Sequence, residues 1–317
     1  MQAGQTGHFA RDLPFCPGGQ GNPLTCCFQQ ATLQETPEET YSMAESKALE
    51  NLEIRLLLDA IRQHYGYDFR DYAPASLKRR IREFRDDVGC EQISSLIPHV
   101  LHDTSAFALL LRYMSVTVTE MFRDPAFFLK LREDVIPWLE TWPFIKIWHA
   151  GCATGEEVYS MAILLDEAGI LERAQIYATD LNEESLQIAR QGIYRTENLP
   201  QYTENYTRSG GERSLGDYYH QRYSSLKFHR RLSANMTFAN HNLVTDGVFG
   251  EMHLIICRNV LIYFNQNLKN RVLQLFSDSL CPKGVLCLGT RESIRFTNID
   301  SLYETVNIHQ KIYRKKQ

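Results

Sequence analysis

The chain has 317 residues, enough for one large domain or two modest ones with a sizeable core. Its 34 Lys and Arg stand against 38 Asp and Glu, a formal net charge of −4, whereas a dedicated nucleic-acid binder carries a basic excess. No apolar run approaches the ~20 residues that span a bilayer, and the N-terminus lacks a signal-peptide pattern, so a cytoplasmic protein without membrane insertion is expected.

Residues 1–45 are poor in apolar periodicity and rich in Gly, Gln, Thr and Pro, which predicts a disordered leader. Helical spacing then begins. Leu49, Leu52, Leu56, Ala60 and Ile61 recur at three- and four-residue steps up to Gly66. Further helices are predicted over 75–88, 93–102 and 105–113, giving a small all-helical unit over 46–116. In the second of them Leu77, Ile81 and Phe84 share a face, so Lys78, Arg79, Arg80, Arg82 and Arg85 are expected to face outward.

From there the pattern alternates. Strands are predicted at 145–150, 175–179, 236–239, 253–257 and 284–288, with helices at 156–169, 182–191 and 267–280, and Asn182 as an N-cap. Two extended stretches around Asn307 predict an antiparallel pair at the edge. Such alternation implies an α/β domain over 117–317, with a mostly parallel sheet covered on both faces. The tyrosine-rich stretch 194–232 is too long for a loop and predicts an inserted subdomain of short antiparallel strands. The eight cysteines include no C-x-x-C pair, so neither a zinc site nor a disulfide framework is expected; they read as small buried apolar residues, and no metal is predicted.

The segment Gly151-Cys152-Ala153-Thr154-Gly155-Glu156-Glu157 joins a strand to a helix start. It is neither G-x-G-x-x-G nor a P-loop. Two glutamates at the helix start would repel a phosphate and suit a ligand with positive charge. The next strand ends in Thr179-Asp180, where a carboxylate can accept both hydroxyls of a ribose. A phosphate-free adenosine ligand fits both features, and S-adenosyl-L-methionine has the ribose, the amino-acid tail and the sulfonium cation.

Five blocks now stand in order: Thr117-Val118-Thr119-Glu120-Met121-Phe122-Arg123, Ala153 to Ser160, Ala178-Thr179-Asp180-Leu181 with Ala189 to Tyr194, His241-Asn242-Leu243, and Cys257-Arg258-Asn259-Val260-Leu261-Ile262-Tyr263-Phe264. Together they resemble the CheR-type chemotaxis receptor methyltransferases over residues 50–315. The resemblance implies a Rossmann-like S-adenosylmethionine-dependent domain, a helical N-terminal domain and a small inserted β-subdomain. It implies methyl transfer to glutamate side chains on the cytoplasmic helices of chemoreceptors. It also implies cofactor contacts from Thr117, Thr119 and Arg123, with Glu156 at the amino-acid end, Asp180 at the ribose, Asn242 and Leu243 at the adenine, and Arg258 and Asn259 closing the site. Tyr263 is implied beside the reacting methyl. The chain departs from the family at Thr117 (usually Asn), at Met121 (usually aromatic) and in Gly289-Thr290-Arg291-Glu292-Ser293, which stands for a Gly-His-Ser-Glu motif.

A glutamate carboxylate is ionised at neutral pH and needs no strong base, so the chemistry reduces to alignment. Arg123 or Arg132 is the expected cation for the incoming carboxylate. The basic helix is a candidate docking face for acidic receptor helices, and the insert for a receptor C-terminal peptide added as a strand. The rival readings are a methyltransferase for another substrate and an S-adenosylmethionine-binding adaptor without catalysis.

Overall fold

The computed structural model describes residues 37–115, 119–248 and 250–316. Residues 1–36 of the expected leader lie outside it. The first helix, Pro37–Tyr65, begins ahead of the boundary expected at Ser46. It is followed by helices Pro74–Val88, Leu96–His102 and Thr104–Met114. Gly89 ends the second at φ +76°, a left-handed turn that lets its N–H reach the carbonyls of Arg85 and Asp86.

Two corrections arise here. The first helix has two overlapping apolar stripes, and the buried one is Ile54, Leu57, Leu58 and Ile61, packed on Leu77, Ile81 and Phe84. Leu49, Leu52 and Leu56 are 58%, 43% and 51% exposed. Arg80 does not face outward; it is only 3% exposed, because residue 80 shares the face of Leu77 and Phe84. Its outward neighbours are paired, Arg79 with Glu83, Arg82 with Glu50 and Arg85 with Asp86.

Residues 125–140, unassigned from sequence, form a helix Pro125–Lys130, one wide π-type turn at Leu131–Val135 and a helix Ile136–Glu140. Pro137 lies just past the wide turn and has no N–H for the carbonyl four residues back.

The alternating half forms ten strands: β1 (Ile145–Ala150), β2 (Ala174–Asp180), β3 (Ile193–Arg195), β4 (Tyr219–Arg222), β5 (Ser225–Phe228), β6 (Met236–Asn240), β7 (Met252–Cys257), β8 (Leu280–Leu288), β9 (Tyr303–Asn307) and β10 (Ile312–Lys315). Seven make one sheet in the order β6-β2-β1-β7-β8-β10-β9. β1 pairs in parallel with β2 on one side and β7 on the other. The chain thus winds outward through β2 and β6, then returns across β1, creating a switch point where the C-terminal ends of adjacent strands splay. β10 is antiparallel to both neighbours, as the tail pattern predicts. Asn182 caps the Glu183–Gln191 helix by accepting from the backbone N–H groups of Glu184 and Ser185.

The insert has the expected antiparallel sheet, β3-β5-β4, and also an unforeseen helix, Leu199–Arg208. It is fastened to the Glu156–Glu167 helix by the fully buried carboxylate of Glu167, which accepts from the hydroxyls of Tyr206 and Tyr218 and from Arg132. Arg132 also donates to the Ser209 carbonyl. Its guanidinium is therefore committed to the insert and does not serve the site.

Candidate functional site

Every parallel strand near the switch point delivers a functional segment from its C-terminal end. After β1, the N–H groups of Gly151 and Cys152 both donate to the Thr179 carbonyl, at 2.8 and 2.9 Å. Gly151 sits at φ +79°, and a Cβ there would lie 2.5 Å from Val260 Cγ2. Only glycine lets the loops after β1 and β7 touch. At the end of β2, Asp180 accepts from Ala153 N–H (2.8 Å) and Asn182 N–H (2.9 Å), one on each oxygen. Burial raises its pKa and those backbone donors oppose the rise. Each oxygen keeps a further lone pair for a ligand hydroxyl.

Two adjoining hollows occupy this edge. They share Gly151, Asn259, Val260 and Tyr263. The first is bounded by Asp180, His241, Asn242 and Leu243, with Tyr72, Met114 and Ser115 of the helical domain opposite. The second is bounded by Thr119, Arg123, Ala153, Glu157 and Arg258. Of the residues predicted from sequence, Thr119, Arg123, Asp180, Asn242, Leu243, Arg258, Asn259 and Tyr263 are thus brought together. Thr117 lies outside the described residues.

Glu156 lines neither hollow; its neighbour Glu157 does. Consecutive helix residues point about 100° apart, so the two carboxylates meet different surroundings. Glu156 is 7% exposed and accepts from the Thr154 hydroxyl at 2.6 Å. Burial pushes its carboxyl up to about 7. Burial also works against Glu157, but Arg258 at 2.7 Å and His149 at 3.3 Å hold its carboxyl down at about 2. Glu156 is the glutamate expected from sequence at the amino-acid end, whereas the one lining the hollow is Glu157, the counter-ion of the buried Arg258.

Arg258 is a brace, not a loosely closing group. Its side chain is 1% exposed and bonds Glu157, Asp124 and the Arg123 carbonyl, with the Phe127 ring centroid 4.1 Å away. Glu292 went unassigned by sequence reasoning. Buried after β8, it accepts from the N–H groups of Gly289 (2.6 Å), Asn259 (3.1 Å) and Ile262 (3.3 Å), so it shapes the loop that carries Tyr263. Phe122, Asp124, Ala153 and Asn259 all have φ between +48° and +62°. Ala153 and Asn259 line the second hollow and Phe122 and Asp124 flank its Arg123, so strained backbone gathers where the surroundings over-determine it.

An anion fixed by Arg258 and a two-oxygen acceptor at the end of β2 suit a cationic, hydroxyl-bearing nucleoside. The comparisons agree. A family model described as "CheR methyltransferase, SAM binding domain" matches residues 117–312, and one described as "CheR methyltransferase, all-alpha domain" matches 52–115. The Cher3 protein of Pseudomonas putida is 51% identical over 265 residues, 84% of this chain and 97% of the relative. A chemotaxis protein methyltransferase of Listeria innocua is 30% identical over 236 residues, 74% and 87% of the two chains. That of Salmonella typhimurium is 29% identical over 270 residues, 81% and 88%. The chain belongs to the CheR methyltransferase family, with S-adenosylmethionine as the cofactor of its Rossmann-like domain.

Proposed function

We propose that the chain transfers the methyl group of S-adenosylmethionine to glutamate side chains on the cytoplasmic helices of chemoreceptors, giving methyl esters used in sensory adaptation. One observation carries this reading. Among the described residues around the second hollow, the ionisable groups apart from the cysteine are Arg123, Glu157, Arg258 and Tyr263. Glu157, held near 2, is far too weak a base to strip a lysine ammonium, whose ordinary pKa is about 10.4. A substrate carboxylate needs no base.

Asp180 would hold the ribose hydroxyls, Asn242 and Leu243 the adenine side, and Glu157, in place of Glu156, the ammonium end, with Thr119 beside it. The cofactor supplies an electrophilic methyl on a cationic sulfur. Arg123 would draw the incoming carboxylate by charge, and Tyr263, shared by both hollows, would orient it by hydrogen bonding. The helical face bearing Lys78, Arg79 and Arg82 is the proposed contact for acidic receptor helices, although its arginines are largely paired within the chain. In the inserted sheet β4 has a partner on one side only among the described residues, and that edge is the proposed place for a receptor tail peptide by strand addition.

Incubation with tritiated cofactor and a receptor cytoplasmic fragment tests the reaction. Label released as volatile methanol by mild alkali supports it. Alkali-stable label would point to N-methylation, and cofactor binding without label to an adaptor.

A further inference from the structure

Arg80 is the helical-domain feature that the proposed reaction leaves unexplained. It comes from the Pro74–Val88 helix, yet its guanidinium carbon lies 4.3 Å from the centroid of the Tyr263 ring. The residue is 3% exposed, and burial lowers its pKa. Nη1 donates to the Met114 carbonyl, at the end of the Thr104–Met114 helix. Nη2 is buried and has no hydrogen-bond acceptor among the described residues. A buried guanidinium with half its fork unsatisfied is costly unless something else favours the charge there, and the π face of Tyr263 is the group present.

The same tyrosine is gripped from the helical domain a second time. Its carbonyl accepts from Ala73 N–H at 2.7 Å. The adjoining residues repeat the pattern: Asn265 N–H donates to the Asp71 carbonyl, and Tyr72 meets Phe264 edge-on at 5.2 Å. Backbone and ring of Tyr263 are therefore set by the helical domain, whereas Glu292 sets its loop from the other side.

We infer that Arg80 is a positioning residue for methyl transfer, which fixes the ring of Tyr263 at the mouth shared by the two hollows. The helical domain is then part of the catalytic apparatus and not a docking module alone. The kinetic side of this inference rests on the part proposed for Tyr263; the positional side does not.

The test uses the full chain with Arg80→Met, which keeps the stem volume and removes the charge, Arg80→Lys, and each combined with Tyr263→Phe. The chain is labelled with ¹³C at the tyrosine Cζ, and the Tyr263 signal is assigned by its loss in Tyr263→Phe. In R80M that signal should shift or broaden, with partial return in R80K. At saturating receptor fragment, kcat should fall about tenfold in R80M, with cofactor Kd within about twofold of wild type. In the Tyr263→Phe background R80M should cost little more, since residues acting as a unit are non-additive. An unmoved Tyr263 signal in folded R80M overturns the inference. So does an equal loss of kcat with and without the tyrosine hydroxyl. If Tyr263→Phe leaves kcat unchanged while the signal still moves in R80M, positioning stands and the tyrosine's proposed part in transfer fails.

Discussion

The two adjacent glutamates at the start of the Glu156–Glu167 helix offer a matched pair of perturbations. Glu157→Gln removes one partner from an ion pair whose side chains are 1% and 16% exposed, at 2.7 Å. Breaking a buried pair costs ~3–5 kcal/mol. Asp124 remains on Arg258 and is 41% exposed, so the lower end, about 3 kcal/mol, is expected. For a domain of this size that corresponds to a Tm roughly 6–12 °C lower. A charged hydrogen bond to the ligand ammonium is worth ~1.5–3 kcal/mol, so cofactor Kd should rise about 10- to 100-fold. Glu156→Gln should leave Kd essentially unchanged. Calorimetric titration of both variants with the cofactor, beside thermal melts, reads the two quantities separately. Loss of binding in E156Q with wild-type binding in E157Q would refute the assignment.

Glu156 also predicts a pH dependence. Its carboxyl lies above its ordinary value of 4.5, at about 7, so its protonated form is favoured in the fold. That contribution is complete below pH 4.5 and is lost as pH rises through 7. It amounts to roughly 3 kcal/mol, and E156Q should flatten the fall in Tm between pH 5 and 8; an unaltered profile would count against it. Asp180→Ala removes both the proposed ribose acceptor and the partner of Ala153 N–H, and cofactor binding should weaken at least about 10-fold by calorimetry. Gly151→Ala forces a Cβ to 2.5 Å from Val260 Cγ2 at φ +79°. The loop should shift, with ~1–3 kcal/mol of stability lost in denaturant unfolding; Val260→Ala should recover part of it.

Much of the sheet was legible in sequence because its strands are short apolar runs set between helical periods. Glycine and asparagine also punctuate the helix ends at Gly89, Asn182 and Gly192. The segments that line the two hollows were legible for a related reason: each follows a strand, and strand ends in such a sheet border the crevice. What escaped was side-chain direction. Two overlapping stripes in the first helix share one spacing, and only the partner helices decide that Leu57, not Leu56, turns inward. Neighbouring glutamates are indistinguishable until the position of Arg258 is known. Arg80 looked like one more surface arginine because an aromatic face from another domain is invisible to local pattern. The Leu199–Arg208 helix was hidden by a tyrosine-rich composition that suits strands as readily, and it is held by a distant carboxylate, Glu167.

The most direct measurement is peptide-level mass spectrometry of a receptor cytoplasmic fragment incubated with the full chain and a trideuteromethyl cofactor. Deuterated methyl increments should map to glutamate side chains, vanish after mild alkali and, at cofactor below the wild-type Kd, fall about 10-fold or more when Asp180→Ala replaces the wild type. Increments on lysine, arginine or histidine, or none on the receptor despite measured cofactor binding, would contradict carboxylate methylation.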